Sequence, residues 1–181
     1  LELGEELGCG SYGAVFKCCW RGCTLAVKIK DSPPTLDDEI IILKKLGREH
    51  PGIVHLPEWR RQKRTAKTFL FFPVFDESLR ILLSRNRDKR TLVSQSQAQC
   101  FMNLGCAAGS YMHQKGVLHR DLKPGNILVR RTVRVLASMV RAQRVAGNNV
   151  SQRAGVGCGW WEPVICDFGN ATELGNGNVL P

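Results

Sequence analysis

Residues 119–126 read His119-Arg120-Asp121-Leu122-Lys123-Pro124-Gly125-Asn126, a carboxylate followed by a lysine two positions on and a carboxamide five positions on. Taken alone, the stretch is a polar loop. Its meaning comes from four further marks that flank it in order. Upstream lie a glycine loop (Gly8, Gly10, Gly13), a lysine among apolar neighbours (Ala26-Val27-Lys28), and Glu39 just ahead of an apolar helical stretch. Downstream, Asp167-Phe168-Gly169 follows the apolar run Val164-Ile165-Cys166. A lysine set among apolar residues is costly to bury without a partner, and glycines let a backbone close over a group that side chains would collide with. One such mark arises by chance; five in sequence do not.

In residue type and order these marks resemble the signature set of the eukaryotic protein kinases. The resemblance covers residues 1–129 and 163–172. It implies an α+β, two-lobed fold. Residues 1–75 would form a small antiparallel-sheet lobe with one helix, and residues 76–181 a partial, mainly helical lobe. The glycine spacing by itself also fits a dinucleotide-binding turn, which would place a helix directly after Gly13. Val15-Phe16-Lys17-Cys18 reads instead as extended.

The same resemblance implies the roles of the site residues. Gly8, Cys9, Gly10, Ser11 and Gly13 would cover the phosphates of ATP, and Lys28 would pair with those phosphates and with Glu39. Val15, Ala26 and Leu128 would sandwich the adenine. Phe71-Phe72-Pro73-Val74-Phe75-Asp76 would form the hinge, with Phe72 as gatekeeper; Pro73 has no N–H, so Val74 or Phe75 supplies the donor. Asp121 would orient a substrate hydroxyl and take its proton, Lys123 would steady the γ-phosphate, and Asn126 and Asp167 would hold Mg²⁺. Lys123 at its position is similar to the serine/threonine branch. His119 belongs to a packed column with Leu43, Leu56 and Phe168 and is not a base.

Periodicity fills in the rest. Residues 3–7, 14–19 and 25–30 read as strands, the last two joined by a turn at Arg21-Gly22. Thr35 with Asp38 makes a capping-box pattern ahead of a helix over residues 40–46. Residues 53–56 and 69–75 predict two more strands. The basic run Arg60, Arg61, Lys63, Arg64 and Lys67 between them reads as a solvated turn. Leu79, Leu82 and Leu83 mark a short helix and residues 94–113 a longer one.

Composition bounds the partners. The chain of 181 residues carries a net charge of +10, and residues 130–161 contribute six arginines and no acid. Such patches attract anions, yet most charge runs are simply solvated, so nucleic acid is not an expected partner. The eight cysteines form no repeated C-x-x-C pair and read as reduced thiols, pointing to a cytoplasmic or nuclear setting. No apolar run approaches the roughly 18 residues of a membrane span. Oligomeric state has no signature in the sequence.

Two departures from the family pattern stand out. Forty residues separate Asn126 from Asp167, where two strands and a tight turn need about fifteen; the surplus at about 131–161 reads as a surface insertion, a basic docking element or the product of a wrongly joined gene segment. Beyond Gly169 the family's Ala-Pro-Glu type motif and further helices do not occur before Pro181, so the second lobe is expected to be truncated and residues 94–113 to expose apolar surface. Two function classes follow: a serine/threonine protein kinase using ATP and Mg²⁺ on a protein hydroxyl, or a weak or inactive kinase-like module that binds nucleotide or a partner.

Overall fold

The computed structural model describes residues 1–10, 13–31, 37–88, 94–132 and 160–174. Strands β1 (Glu2–Gly10), β2 (Gly13–Trp20) and β3 (Cys23–Asp31) form consecutive antiparallel hairpins. The β2–β3 turn is Arg21-Gly22, both at positive φ (51° and 77°), between the paired residues Trp20 and Cys23. Positive φ at both central positions suits the right-handed twist of the flanking strands. After Gly13 the chain runs straight into β2, which removes the dinucleotide-fold alternative.

Helix α1 (Asp38–Leu46) follows. Its cap is Asp37, whose Oδ1 accepts the Glu39 N–H at 3.0 Å. The expected box between Thr35 and Asp38 gives way to this arrangement: Asp38 is the first helical residue, and Thr35 lies outside the described residues. Acidic Asp38 and Glu39 in the first turn and Lys44 and Lys45 in the last oppose the helix dipole at both ends.

The expected strand at residues 53–56 is also corrected. Only Ile53 makes a bridge, parallel to Ile165; the sheet strand is β4 (Glu58–Gln62), which takes in Arg60 and Arg61 of the basic run, while Lys63 and Arg64 lie in the expected turn. Ile53 and Val54 are apolar because they are buried in the inter-lobe core. β4 carries arginines because it is the sheet's edge, where charge is tolerated and discourages further strand pairing. With β5 (Lys67–Phe72) the sheet order is β1-β2-β3-β5-β4.

Beyond the connector at 73–76 come β6 (Glu77–Ser78), α2 (Leu79–Asp88), α3 (Gln95–Gln114) and β7 (Val117–Leu118). Strands β8 (Ile127–Thr132) and β9 (Trp160–Ile165) pair antiparallel from Ile127↔Ile165 to Thr132↔Trp160, and β10 (Thr172–Glu173) pairs with β7. Arg131 and Trp161 therefore belong to a ladder, so the segment between the strands spans residues 133–159. Val133, Leu136, Ala137 and Val140, whose sequence spacing is helical, lie outside the described residues. α3 leaves Met102 65% exposed.

Two cores hold these parts. One face of the five-stranded sheet buries Cys18, Val27 and Phe71, with Trp20 stacked on Phe71 at 5.1 Å. The second core runs between the lobes. It joins Ile42, Leu43 and Leu46 of α1, Ile53 and Val54, Ala108 and Met112 of α3, Val164 and Ile165 of β9, and Phe168. Phe168 is 1% exposed, and burying such a ring stabilises by about 1.5–3 kcal/mol. This core fixes how the small sheet sits over the loop of residues 119–126.

Candidate active site

Strand periodicity assembles the upper half of the site. Residues 26, 28 and 30 of β3 share a face, and their neighbours across the ladders share it too: Val15 opposite Lys28, Phe72 opposite Ala26. That face, opposite the Val27–Phe71 core, carries Val15, Ala26, Lys28, Lys30 and Phe72. Lys28 is 7% exposed and Glu39 3%. Lys28 Nζ donates to Glu39 Oε1 at 2.8 Å and Oε2 at 3.1 Å, and to Asp167 Oδ1 at 2.9 Å. Burial alone would lower the ammonium's pKa, but the two carboxylates outweigh it and the net direction is upward. Lys28 is held charged.

Below, the loop of residues 119–126 is pinned to the strand before Asp167. The Cys166 N–H donates to the Asn126 carbonyl at 3.0 Å. His119 Nδ1 accepts the Asp121 N–H at 3.3 Å, which leaves the proton on Nε2 to donate to the Cys166 carbonyl at 2.9 Å. Its ring lies 4.9 Å from that of Phe168. Both nitrogens of His119 are thus engaged in structure. Arg120 and Asp167 adopt left-handed backbone (φ 63° and 60°), a conformation that costs roughly 1–2 kcal/mol for a residue with a side chain. The loop bonds just described, with Arg120 Nε donating to the Asn170 carbonyl at 2.7 Å, hold both turns.

Around Asp121 the donors converge. Lys123 Nζ donates to Asp121 Oδ2 at 2.8 Å and Asn126 Nδ2 to the same oxygen at 3.0 Å and to the Asp121 carbonyl at 2.9 Å. The Lys123 bond, reinforced by Asn126 against some desolvation, holds the Asp121 carboxyl below its ordinary pKa. With Nδ2 spent on Asp121, the Asn126 side chain turns its oxygen the other way, the hard ligand that Mg²⁺ takes. Asp167 likewise has Oδ2 beyond the oxygen given to Lys28. The donor set fits a magnesium-bound phosphate.

The remaining expected residues lie on the connector, β8 and the first hairpin. Val74 and Phe75 lie half-buried on the connector, which is tied to β8 by Asp76 N–H to the Val129 carbonyl (3.1 Å) and Arg131 N–H to Asp76 Oδ2 (2.8 Å). Leu128 is half-buried on β8. Gly8, Cys9 and Gly10 end β1 and Gly13 opens β2; Ser11 lies outside the described residues. Cys166, next to Asp167, is a neutral thiol pushed up to about 12 by burial.

The glycines are not equivalent. A Cβ on Gly13, at φ 118°, would stand 2.3 Å from the Ile29 carbonyl oxygen, whereas one on Gly8 would meet nothing within 4 Å. Gly13→Ala is expected to destabilise by about 2 kcal/mol or more, from left-handed strain plus the clash. Gly8→Ala should leave the urea midpoint unchanged.

Sequence reasoning missed Lys30 and Asp37. Lys30 Nζ donates to Asp37 Oδ1 at 2.9 Å and to Glu39 Oε2 at 2.8 Å. The available signal was spacing: Lys30 is two residues from Lys28, and Asp37 two from Glu39.

A small sheet with one inward helix, set over a loop of aspartate, lysine and asparagine, defines the two-lobed kinase architecture. The chain belongs to the protein kinase domain family, whose model matches residues 1–180. It is 32% identical to cyclin-dependent kinase B2-2 of Arabidopsis thaliana over 144 residues, 73% of this chain and 45% of that protein. It is 33% identical to cyclin-dependent kinase 1 of Encephalitozoon cuniculi (strain GB-M1) over 134 residues, 69% of this chain and 44% of that protein. Cytokinesis protein sepH of Aspergillus terreus is 32% identical over 179 residues, 94% of this chain and 13% of that protein. The chain spans less than half the length of these relatives. Among the described residues no helix is long and apolar enough to cross a membrane.

Proposed function

We propose that this chain carries the nucleotide site and catalytic loop of a serine/threonine protein kinase, which transfers the γ-phosphate of ATP to a protein hydroxyl. One observation carries the reading. Lys28, Glu39 and Asp167 form a single bonded cluster, and Asp167 follows Cys166, whose backbone is bonded to both His119 and Asn126 of the loop that bears Asp121. A structural loop has no use for that convergence.

In this reading Lys28 binds the phosphates nearest the ribose while Glu39 keeps it in place. Asn126 and Asp167 would hold Mg²⁺, which would draw charge from the phosphate oxygens. Asp121 orients the substrate hydroxyl and receives its proton as the oxygen bonds to the γ-phosphorus and the bond to the β-phosphate oxygen breaks, releasing ADP. Lys123, bonded to Asp121, faces the charge carried by the transferred group. Val15, Ala26 and Leu128 supply the apolar walls for adenine, and Val74 or Phe75 the backbone donor. Residues 1–75 and 76–181 act as the two lobes, with residues 133–159 inserted in the second. The setting is cytoplasmic or nuclear.

The test is transfer of label from γ-labelled ATP with Mg²⁺ to a mixed protein substrate, followed by phosphoamino-acid analysis. Phosphoserine and phosphothreonine are expected; label on tyrosine alone overturns the assignment. The same assay carries a pH prediction. Because Asp121 is held below the ordinary carboxylate pKa, its ionised form persists as pH falls. The rate should therefore show no loss attributable to it down to about pH 5. Removing the lysine bond in Lys123→Ala should move the acid limb upward.

A further inference from the structure

Five charges alternate in one bonded line from the start of α1 to the strand end before Phe168: Asp37, Lys30, Glu39, Lys28, Asp167. The links measure 2.7 Å (Lys30 to Asp37 Oδ2), 2.8 Å (Lys30 to Glu39 Oε2), 2.8 Å (Lys28 to Glu39 Oε1) and 2.9 Å (Lys28 to Asp167 Oδ1). The lysine–glutamate and lysine–aspartate links at the Lys28 end belong to the site already described. The Lys30 half has no part in the phosphate and metal contacts assigned there. Its side chain is largely covered, 14% exposed, and both its acidic partners are buried.

Glu39 divides its two oxygens between the lysines. Oε1 takes Lys28, and Oε2 takes Lys30 more closely than it takes Lys28, 2.8 Å against 3.1 Å. The division matters once phosphates arrive. A triphosphate competes with Glu39 for the Lys28 ammonium, and a helix tethered through Lys28 alone would be loosened by the ligand it serves. Lys30 gives Glu39 a cation that the phosphates do not need. It also grips the N-cap: Asp37 caps α1 through Oδ1 and receives Lys30 at both oxygens. A single ammonium therefore ties the first turn of α1 to β3 at two points.

We propose that Lys30 is a positioning residue that holds Glu39 against β3 independently of nucleotide, so that Lys28 is presented to the phosphates already aligned. This rests on the reading of Lys28 as the phosphate-binding lysine. The device is internal to the chain: α1 is kept inward by its own strand.

The test compares the affinities of Mg·ATP and adenosine for the whole chain, by calorimetry, in Lys30→Met, Lys30→Arg and Lys28→Met. Lys30→Met is expected to weaken Mg·ATP about tenfold while adenosine stays within about twofold of the unmodified protein. Lys30→Arg, which keeps the charge and the reach, should restore most of the loss. Unchanged Mg·ATP affinity in Lys30→Met overturns the proposal, as does a parallel loss for both ligands, which would mean general damage to the lobe. Should Lys30→Met fail to fold, Asp37→Asn takes its place. Asparagine retains the cap acceptor but not the charge that anchors Lys30, and a selective loss for Mg·ATP is again the supporting result, its absence the overturning one. Lys28→Met separates the two levels: if it binds Mg·ATP normally, the phosphate-site reading itself fails; if it loses affinity while the Lys30 variants do not, only the role of Lys30 falls.

Discussion

Replacing Asp121 by asparagine is expected to lower γ-phosphate transfer by about 10²–10⁴, the usual contribution of a positioned base, while Mg·ATP affinity stays near that of the unmodified chain. The substitution is nearly isosteric. Its remaining carbonyl oxygen can still accept from Asn126 Nδ2 and Lys123, so the loop bonds at 3.0 and 2.8 Å need not break. What is lost is the capacity to take a proton. His119 offers no substitute, because Nδ1 already accepts the Asp121 N–H and Nε2 faces the Cys166 carbonyl. Initial rates with γ-labelled ATP, paired with a binding isotherm, measure both quantities. Equal incorporation by the two proteins would remove Asp121 from the mechanism, and a parallel fall in affinity would make its role one of loop structure.

The second large effect is on stability. Glu39→Ala takes away the carboxylate that Lys28 and Lys30 share in a site where Glu39 is 3% exposed. Breaking a buried ion pair by deleting one partner typically costs about 3–5 kcal/mol, because charge is left behind in a poorly solvated place. Asp167 and Asp37 remain to take up part of that charge, which places the expected loss near the lower end, about 3 kcal/mol. Urea unfolding reads it directly. Glu173→Ala is the control: its bridge to Lys45 is exposed on both sides, and such pairs contribute about 0–1 kcal/mol. A Glu39→Ala loss no larger than the control would mean that the charges relax into water and that the cluster contributes little to folding.

Much of the site could be read before any fold was known, because its chemistry is written over short spans. Asp121, Lys123 and Asn126 lie within six residues of one another, and their mutual bonds follow from that loop. The three-strand start of the chain was equally legible: Arg21-Gly22 is a turn signal and Gly13 leads into alternating residues. Reading failed where an apolar or charged run has more than one use. Ile53 and Val54 have strand-like composition but are buried against Ile165 and Phe168, and of the basic run that suggested a turn only Lys63 and Arg64 lie in one, Arg60 and Arg61 sitting on an edge strand.

The amino-acid order by itself determined the membership and the parts: which lysine, which carboxylates, which carboxamide, and the strands and helices that carry them. Only the tertiary structure decided how those charges are shared. Glu39 meets Lys30 as well as Lys28, and Asp37 serves as both cap and counter-ion, because the seating of the first turn of α1 on β3 brings together side chains seven to eleven residues apart, which spacing alone does not dictate. Local propensity and spacing bring each charge to a face. The distance between faces, and hence the partner of a buried charge, is set by the packing of Leu43, Phe168 and their neighbours in the core between the lobes.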